Sequence, residues 1–334
     1  MLVILPPMKA VTVKTPGDAN QLQITEVEDP KAGPGQVLIY VAATALNRAD
    51  ILQREGKYPP PPGVTDILGL EMAGTVIETG EGVTDFEVGD NVCALLSGGG
   101  YAQMIAVDAD MLLKLPERLS FTKAAAIPEA FITAFQALHQ IAKLQKGETV
   151  LIHAGASGVG TAAVQLAKHA GAKVVATASS MKHQRLEDLG ADRCVDYRTE
   201  DFADAVLNET DGKGANVILD FIGGSYFEQN LKAAALDGRI VSLAALGGAR
   251  VENVSLAPIL RKRLQITGTT LRSRAKDYKR QLVADFRDQI WPHFADRSLV
   301  AIVDSIYDWE GVADAHKYME ANANVGKIVL TIGE

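Results

Sequence analysis

Residues 149–160 read Thr-Val-Leu-Ile-His-Ala-Gly-Ala-Ser-Gly-Val-Gly, an apolar β-type run that feeds a glycine turn, and the Ala-rich segment that follows, 161–169, contains neither Pro nor Gly. Strand, tight turn and helix in that order put unpaired backbone N–H groups at the start of a helix, where the helix dipole also favours negative charge. That is chemistry for a pyrophosphate. The dinucleotide fingerprint has glycines at the first, third and sixth positions of the turn. Here those positions hold Gly155, Ser157 and Gly160, so the middle glycine is missing, while Gly158 and Val159 stand at the helix start. Alone, such a turn also fits a connection that merely packs a helix on a sheet.

The next apolar run, 173–177, stands where the second parallel strand belongs, and the residues after it read the adenosine ribose. An acid there would accept from a 2′-hydroxyl. This chain has Ser179, Ser180 and Lys182, with Arg185 close by and no acid before Glu187. Hydroxyl donors and positive charge suit a 2′-phosphate that a carboxylate would repel, so the expected cofactor is NADP(H).

Positioning these groups takes an α/β fold. From residue 149 onward strands alternate with helical segments, with runs at 149–153, 173–177, 193–195, 217–220, 239–243 and 264–269. That rhythm predicts a doubly wound, mainly parallel sheet covered on both faces. Before it, from residue 8 to about 121, short β-type runs at 11–13, 22–27, 36–42, 72–79 and 91–95 are separated by Pro and Gly turns, which predicts an antiparallel, barrel-like domain. Helical segments 123–126 and 130–141, interrupted by Pro128, bridge the two. A helix over 277–294 and strands at 302–307 and 327–332 close the chain, the last two returning to the first domain. The Gly98-Gly99-Gly100 run lacks a following Lys-Ser/Thr and reads as a turn.

The chain has 334 residues, 22% of them charged, and a net charge of −8, enough for two domains with cores of their own and a poor match to a nucleic-acid scaffold. Cys93 and Cys194 form no CxxC pair, which fits a reducing compartment and a cytoplasmic location. Residues 1–7 read as a dispensable leader, neither signal peptide nor membrane span. His153, ending a buried strand, reads as a core histidine.

The strings Ala45-Leu46-Asn47-Arg48-Ala49-Asp50, Gly69-Leu70-Glu71-Met72-Ala73-Gly74, Gly89-Asp90-Asn91-Val92, Ala124-Ala125-Ala126-Ile127-Pro128-Glu129-Ala130, Asp220-Phe221-Ile222-Gly223-Gly224, Leu271-Arg272-Ser273-Arg274 and 315–322, with the glycine turn, carry a resemblance over nearly the whole chain. The chain resembles the zinc-free quinone oxidoreductases of the medium-chain dehydrogenase/reductase superfamily, most closely the p53-inducible branch. The resemblance implies a GroES-like catalytic domain at 1–127 and 270–334 and a Rossmann NADP(H)-binding domain at 128–269. In zinc-dependent relatives a Cys stands at the Asn47 position and a His at the Leu70 position. Leu has no donor atom, so no catalytic metal is expected.

The implied activity is NADPH-dependent reduction of ortho- or para-quinones, which accept a hydride without metal polarisation of the carbonyl. The resemblance implies that Tyr58, Ser157 and Asn47 serve the nicotinamide and substrate site as neutral hydrogen-bond donors. It puts Tyr197 beside Lys182 at the 2′-phosphate, Phe221, Ile222, Leu246 and Gly247 at the carboxyl ends of the strands, and Leu271, Arg272, Ser273 and Asn324 toward the nicotinamide. It also implies a homodimer joined through the edge run 264–270. The Pro59-Pro60-Pro61-Pro62 run after Tyr58 reads as a pocket wall. Two rival functions stand beside this one: reduction of the activated double bond of enals or enones, and an NADPH-binding protein without catalysis, including an RNA binder.

Overall fold

The computed structural model describes residues 7–333, so all but the last residue of the expected leader lies outside the described residues. The chain forms two compact units, one made of the residues up to Ile132 with those from Arg272 onward, the other Thr133–Leu271. The sequence-based boundaries were 127/128 and 269/270.

The first unit begins with β1 (Lys9–Val13) and β2 (Leu22–Glu26), an antiparallel pair. Then come β3 (Gln36–Ala45), β4 (Glu71–Thr79), β5 (Asn91–Leu95), β6 (Met104–Asp108) and β7 (Leu112–Lys114). They pair antiparallel in the order β3, β4, β5, β7, with β6 also on β3. The register between β3 and β4 slips between Val41 and Ala43, and there a side chain on Gly74 would come within 2.1 Å of the Tyr40 carbonyl oxygen. Only glycine permits that approach.

The second unit contains β8 (Thr149–Ile152), β9 (Lys173–Thr177), β10 (Arg193–Val195), β11 (Ala215–Asp220), β12 (Ala234–Ser242) and β13 (Gln265–Gly268). All pair parallel, in the order β10-β9-β8-β11-β12-β13. This is the doubly wound dinucleotide-binding order, with the first strand central and the chain direction reversing beside it. β8 is buried along its length, as a central strand covered on both faces must be.

The last strands, β14 (Val303–Asp308) and β15 (Lys327–Thr331), belong to the first unit, where β15 runs antiparallel beside β3. Val37, Ile39, Leu46, Met72, Val92, Tyr101 and Leu330 share that unit's main core. A short helix, Phe121–Ala124, ends ahead of Pro128, which begins the next, Pro128–Phe135; a π-helical turn, Gln136–Ile141, follows. Proline is well suited to a first helical position because the N–H it lacks would have had no partner there. The helix expected over 277–294 is divided into Lys276–Gln289 and Pro292–Ala295, the second opening on Pro292. Among the described residues no helix is long and apolar enough to cross a membrane.

Candidate active site

In the second unit β8 runs into the glycine turn and then into the helix Gly158–His169. Ser157 caps that helix, its hydroxyl oxygen accepting from the Gly160 N–H at 3.0 Å. The hydroxyl proton is still available to a ligand. A side chain on Gly160 would meet the carbonyl oxygens of Ala154 and Gly155 at 2.4 and 2.5 Å, and one on Gly155 would touch Ala176 at 3.0 Å. The outer glycines therefore let turn, helix and sheet close together. In place of the middle glycine, Ser157 satisfies one first-turn donor, and the N–H groups of Gly158 and Val159 have no carbonyl within the helix to bind. They fit a pyrophosphate, and with Ser157 they are the groups that would hold it.

After β9, Ser179 precedes a short turn, Ser180–Lys182, in which the Lys182 N–H bonds the Ser179 carbonyl at 2.9 Å. Tyr197 follows β10, exposed, with the Arg198 guanidinium 5.6 Å from its ring centre. An acid does reach this corner from elsewhere in the chain: Asp196 accepts from the N–H groups of Ser180 at 3.2 Å and Arg198 at 3.0 Å. Its carboxylate is committed to loop backbone. The loops after β11 and β12 are tied together, since Leu246 N–H bonds the Phe221 carbonyl at 3.1 Å and Gly247 N–H that of Ile222 at 2.7 Å. Leu271 is buried in the same unit. His153 is buried, with Nδ1 on Thr177 at 3.1 Å and Nε2 on Asn230 at 2.7 Å, and burial pushes its pKa down to about 4.

The first unit holds Asn47, Tyr58, Arg272, Ser273 and Asn324. Asn47 precedes the helix Arg48–Arg54, and its side chain is fully engaged. Its Nδ2 donates to Ala45 O at 3.2 Å and Glu71 Oε1 at 2.9 Å, while its Oδ1 accepts from Lys327 Nζ at 2.7 Å. Both amide hydrogens are thus spent inside the protein. Asn47 ties Ala45, Glu71 and Lys327 together.

Tyr58 is half-buried, its ring 5.4 Å from the Arg272 guanidinium, and its hydroxyl has no hydrogen-bond partner among the described residues. Burial raises its pKa further above the ordinary phenol value. Arg272, only 6% exposed, donates through Nε to Ser97 O and through Nη2 to Gln53 Oε1, each at 2.7 Å. Its Nη1 is buried without a hydrogen-bond partner among the described residues. Asn324 donates to Gly326 O at 2.7 Å, shaping its own loop.

Sequence reasoning missed the ionised cluster behind these residues. Glu71 is fully buried and accepts from Asn47, from Lys327 Nζ at 2.6 Å and from the Glu129 N–H at 2.8 Å. Glu129 itself is half-buried, and burial with the nearby Glu71 charge pushes its pKa up to about 8 against the pull of Lys327 and Arg272. Asp50 is raised to about 6 by burial, although the N–H groups of Asn47 and Gly69 hold its oxygens. A signal was present: Glu129 is a lone carboxyl in the apolar string 124–130, and Lys327 heads the apolar run 328–330.

Among the described residues no three His, Cys, Asp or Glu side chains stand together as a metal would need. Leu70 offers no donor, and the Asn47 and Glu71 oxygens already surround the Lys327 ammonium, so a zinc ion does not fit there.

Fold and site together define a pyridine-nucleotide-binding oxidoreductase. Residues 33–117 match the alcohol dehydrogenase GroES-like domain and residues 158–287 the family described as zinc-binding dehydrogenase. The human synaptic vesicle membrane protein VAT-1 homolog is 32% identical over 330 residues, covering 95% of this chain and 84% of that protein. The phthioceranic/hydroxyphthioceranic acid synthase of Mycobacterium tuberculosis is 36% identical over 69% of this chain, which spans only 11% of that much longer protein. Among solved structures, CurK enoyl reductase superposes with a TM-score of 0.88 at 30% identity, covering 98% of this chain and 99% of that one. The quinone oxidoreductase of Pseudomonas syringae pv. Tomato DC3000 gives 0.86 at 32%, with 97% and 99% covered. A mycobacterial protein complexed with NADPH gives 0.87 at 28%, with the same coverage. The chain belongs to the medium-chain dehydrogenase/reductase superfamily.

Proposed function

We propose that this chain is an NADPH-dependent reductase of quinones that works without a metal. The observation that supports the reading is the Tyr58–Arg272 pair, the tyrosine ring 5.4 Å from a guanidinium whose Nη1 has no hydrogen-bond partner among the described residues. Such a site meets developing negative charge on oxygen with hydrogen bonds and positive charge, which is enough for an acceptor as reactive as a quinone. NADPH, when bound, supplies a hydride.

The chain's own residues bind and orient. The N–H groups of Gly158 and Val159, with Ser157, take the pyrophosphate; Ser179, Lys182 and Tyr197 take the 2′-phosphate. Phe221, Ile222, Leu246 and Gly247 line the path along the strand ends, and Leu271, Arg272, Ser273 and Asn324 serve the nicotinamide end. Tyr58 holds the acceptor's oxygen, and Asn47 braces the loop beneath it. We assign the chain a homodimer through β13, whose four residues are all exposed at the edge of the sheet. Its two buried free thiols fit the cytoplasm.

Reduction of enal or enone double bonds is the second reading, favoured by the likeness to CurK enoyl reductase. NADPH oxidation by the purified protein, measured with 1,2-naphthoquinone, with 2-hexenal and with NADH as a control, separates the two. Turnover with the quinone and NADPH supports the first. Turnover with the enal alone replaces the substrate class and keeps the cofactor. Oxidation with neither overturns both.

A further inference from the structure

We propose that Glu129 is the proton donor of this site, giving its carboxyl proton to the acceptor whose oxygen Tyr58 holds; the proposal rests on the reductase reading above. Position is the first argument. Glu129 is the second residue of the helix Pro128–Phe135, and its backbone N–H is anchored at 2.8 Å on Glu71, so the buried Glu71–Lys327 pair fixes where its side chain starts.

The carboxyl itself makes no hydrogen bond among the described residues, whereas the two other acids of the cluster are fully used. Glu71 accepts from Asn47, Lys327 and the Glu129 N–H. Asp50 accepts from the N–H groups of Asn47 and Gly69 and from the Tyr101 hydroxyl. The Glu129 carboxyl, the Tyr58 hydroxyl and Arg272 Nη1 are therefore three polar groups without hydrogen-bond partners among the described residues, and they act electrostatically on one another.

The second argument is the charge around Glu129. Glu71 on β4 and Asp50 on the helix Arg48–Arg54 oppose its ionisation, while Lys327 on β15, Arg272 and Lys279 on the helix Lys276–Gln289 favour it. Burial decides the balance, and the carboxyl keeps its proton up to about pH 8. An acid poised near the working pH is both present in the right form and able to give the proton up. Tyr58, raised above an already high phenol value, hydrogen-bonds well and transfers a proton poorly.

The step balances. The acceptor gains two electrons and one hydrogen as hydride from the reduced nicotinamide. The O–H bond of Glu129 breaks as a new O–H forms on the quinone oxygen, or a C–H on the α-carbon of an enone. The acceptor is reduced and the nicotinamide oxidised, and water returns a proton to the Glu129 carboxylate.

The test uses Glu129→Gln and Glu129→Asp in the full chain. In the cofactor-free wild type, the infrared carbonyl band of a protonated carboxyl should vanish as pH passes about 8, and Glu129→Gln should lack that titration. Relative to wild type, Glu129→Gln should gain melting temperature as pH rises from about 4.5 to 8 and gain no more above it, because over that window the unfolded carboxyl ionises while the folded one still holds its proton. In turnover, the wild-type rate should fall about tenfold per pH unit above 8, Glu129→Gln should lose about 100-fold and show no alkaline limb, and Glu129→Asp should recover part of the rate. A wild type that turns over while Glu129→Gln matches it across pH overturns the proposal, as does a missing carbonyl band at pH 7. A wild type that oxidises NADPH with no acceptor overturns the reductase reading and the proposal with it.

Discussion

Lys327 and Glu71 form an ion pair at 2.6 Å, with side chains 5% and 0% exposed, inside the first unit. Taking both charges out of water is costly, and their attraction compensates only because the remaining atoms are bonded as well. Lys327 also donates to Leu46 O at 2.6 Å and to Asn47 Oδ1 at 2.7 Å, so one ammonium locks strand, loop and amide together. Lys327→Met should destabilise the protein by about 3–5 kcal/mol, since it leaves Glu71 charged, buried and unpaired. Denaturant unfolding checks this, and the double change Lys327→Met with Glu71→Met should recover most of the loss. A Lys327→Met loss under about 1 kcal/mol would show that the pair is dispensable.

Lys182→Ala should weaken NADPH binding by about 10- to 100-fold, the worth of a charge-assisted hydrogen bond to phosphate. NADH, which has no 2′-phosphate, should lose less than about twofold on the same argument. Calorimetric titration of both nucleotides reads the difference, and equal losses would make Lys182 structural.

Gly160→Ala should act on both nucleotides alike. Its added carbon would fall 2.4 Å from the Ala154 oxygen and 2.5 Å from the Gly155 oxygen, contacts with backbone that cannot yield cheaply. Opening the turn should cost about 1–3 kcal/mol of stability and displace the helix-start N–H groups that would face the pyrophosphate. Parallel melting and binding measurements test it, and normal nucleotide affinity would sink the cradle argument.

How much of this was legible in the sequence depends on how local the signal is. The inner strands of the parallel sheet read as bounded apolar runs because both their faces are covered, and 173–177 and 193–195 coincide with β9 and β10. The glycine turn after β8 was equally local. β6 and β7 escaped notice, β7 being three residues long and β6 lacking clean alternation of buried and exposed positions. Of the ionised cluster the sequence shows only lone charges, Glu129 and Lys327, in apolar surroundings, and not their pairing, since Lys327 meets Asn47 across 280 positions and Asn47 meets Glu71 across 24. A sequence shows Asn47 as an available donor; only the pairing shows that its hydrogens are taken.

Tyr58→Phe should lower the turnover rate at saturating NADPH by about 10- to 100-fold, the loss of one hydrogen bond to developing charge. Affinity for NADPH should not change, because the ring and its contact with Arg272 remain. Steady-state kinetics with nucleotide binding measured separately distinguishes the two effects. An unchanged rate would remove Tyr58 from the mechanism.

His316 makes the final prediction. It is buried between Arg54, whose Nη1 lies 3.2 Å from Nδ1, and Tyr101, whose hydroxyl lies 3.4 Å from Nε2. Burial and then the Arg54 charge push its pKa down to about 3. The unfolded chain binds that proton near pH 6.5 and the folded chain does not, so this histidine's contribution falls as pH drops below about 6.5, by up to about 1.4 kcal/mol per pH unit. Asp50, raised to about 6, acts in the opposite sense, because its folded form takes up a proton before the unfolded form does. Total stability therefore hides the histidine, and a difference between variants exposes it. Relative to wild type, His316→Gln should gain stability steadily from pH 6.5 down to about 4, whatever its offset at neutral pH. A pH-independent offset would mean that His316 is protonated in the folded protein.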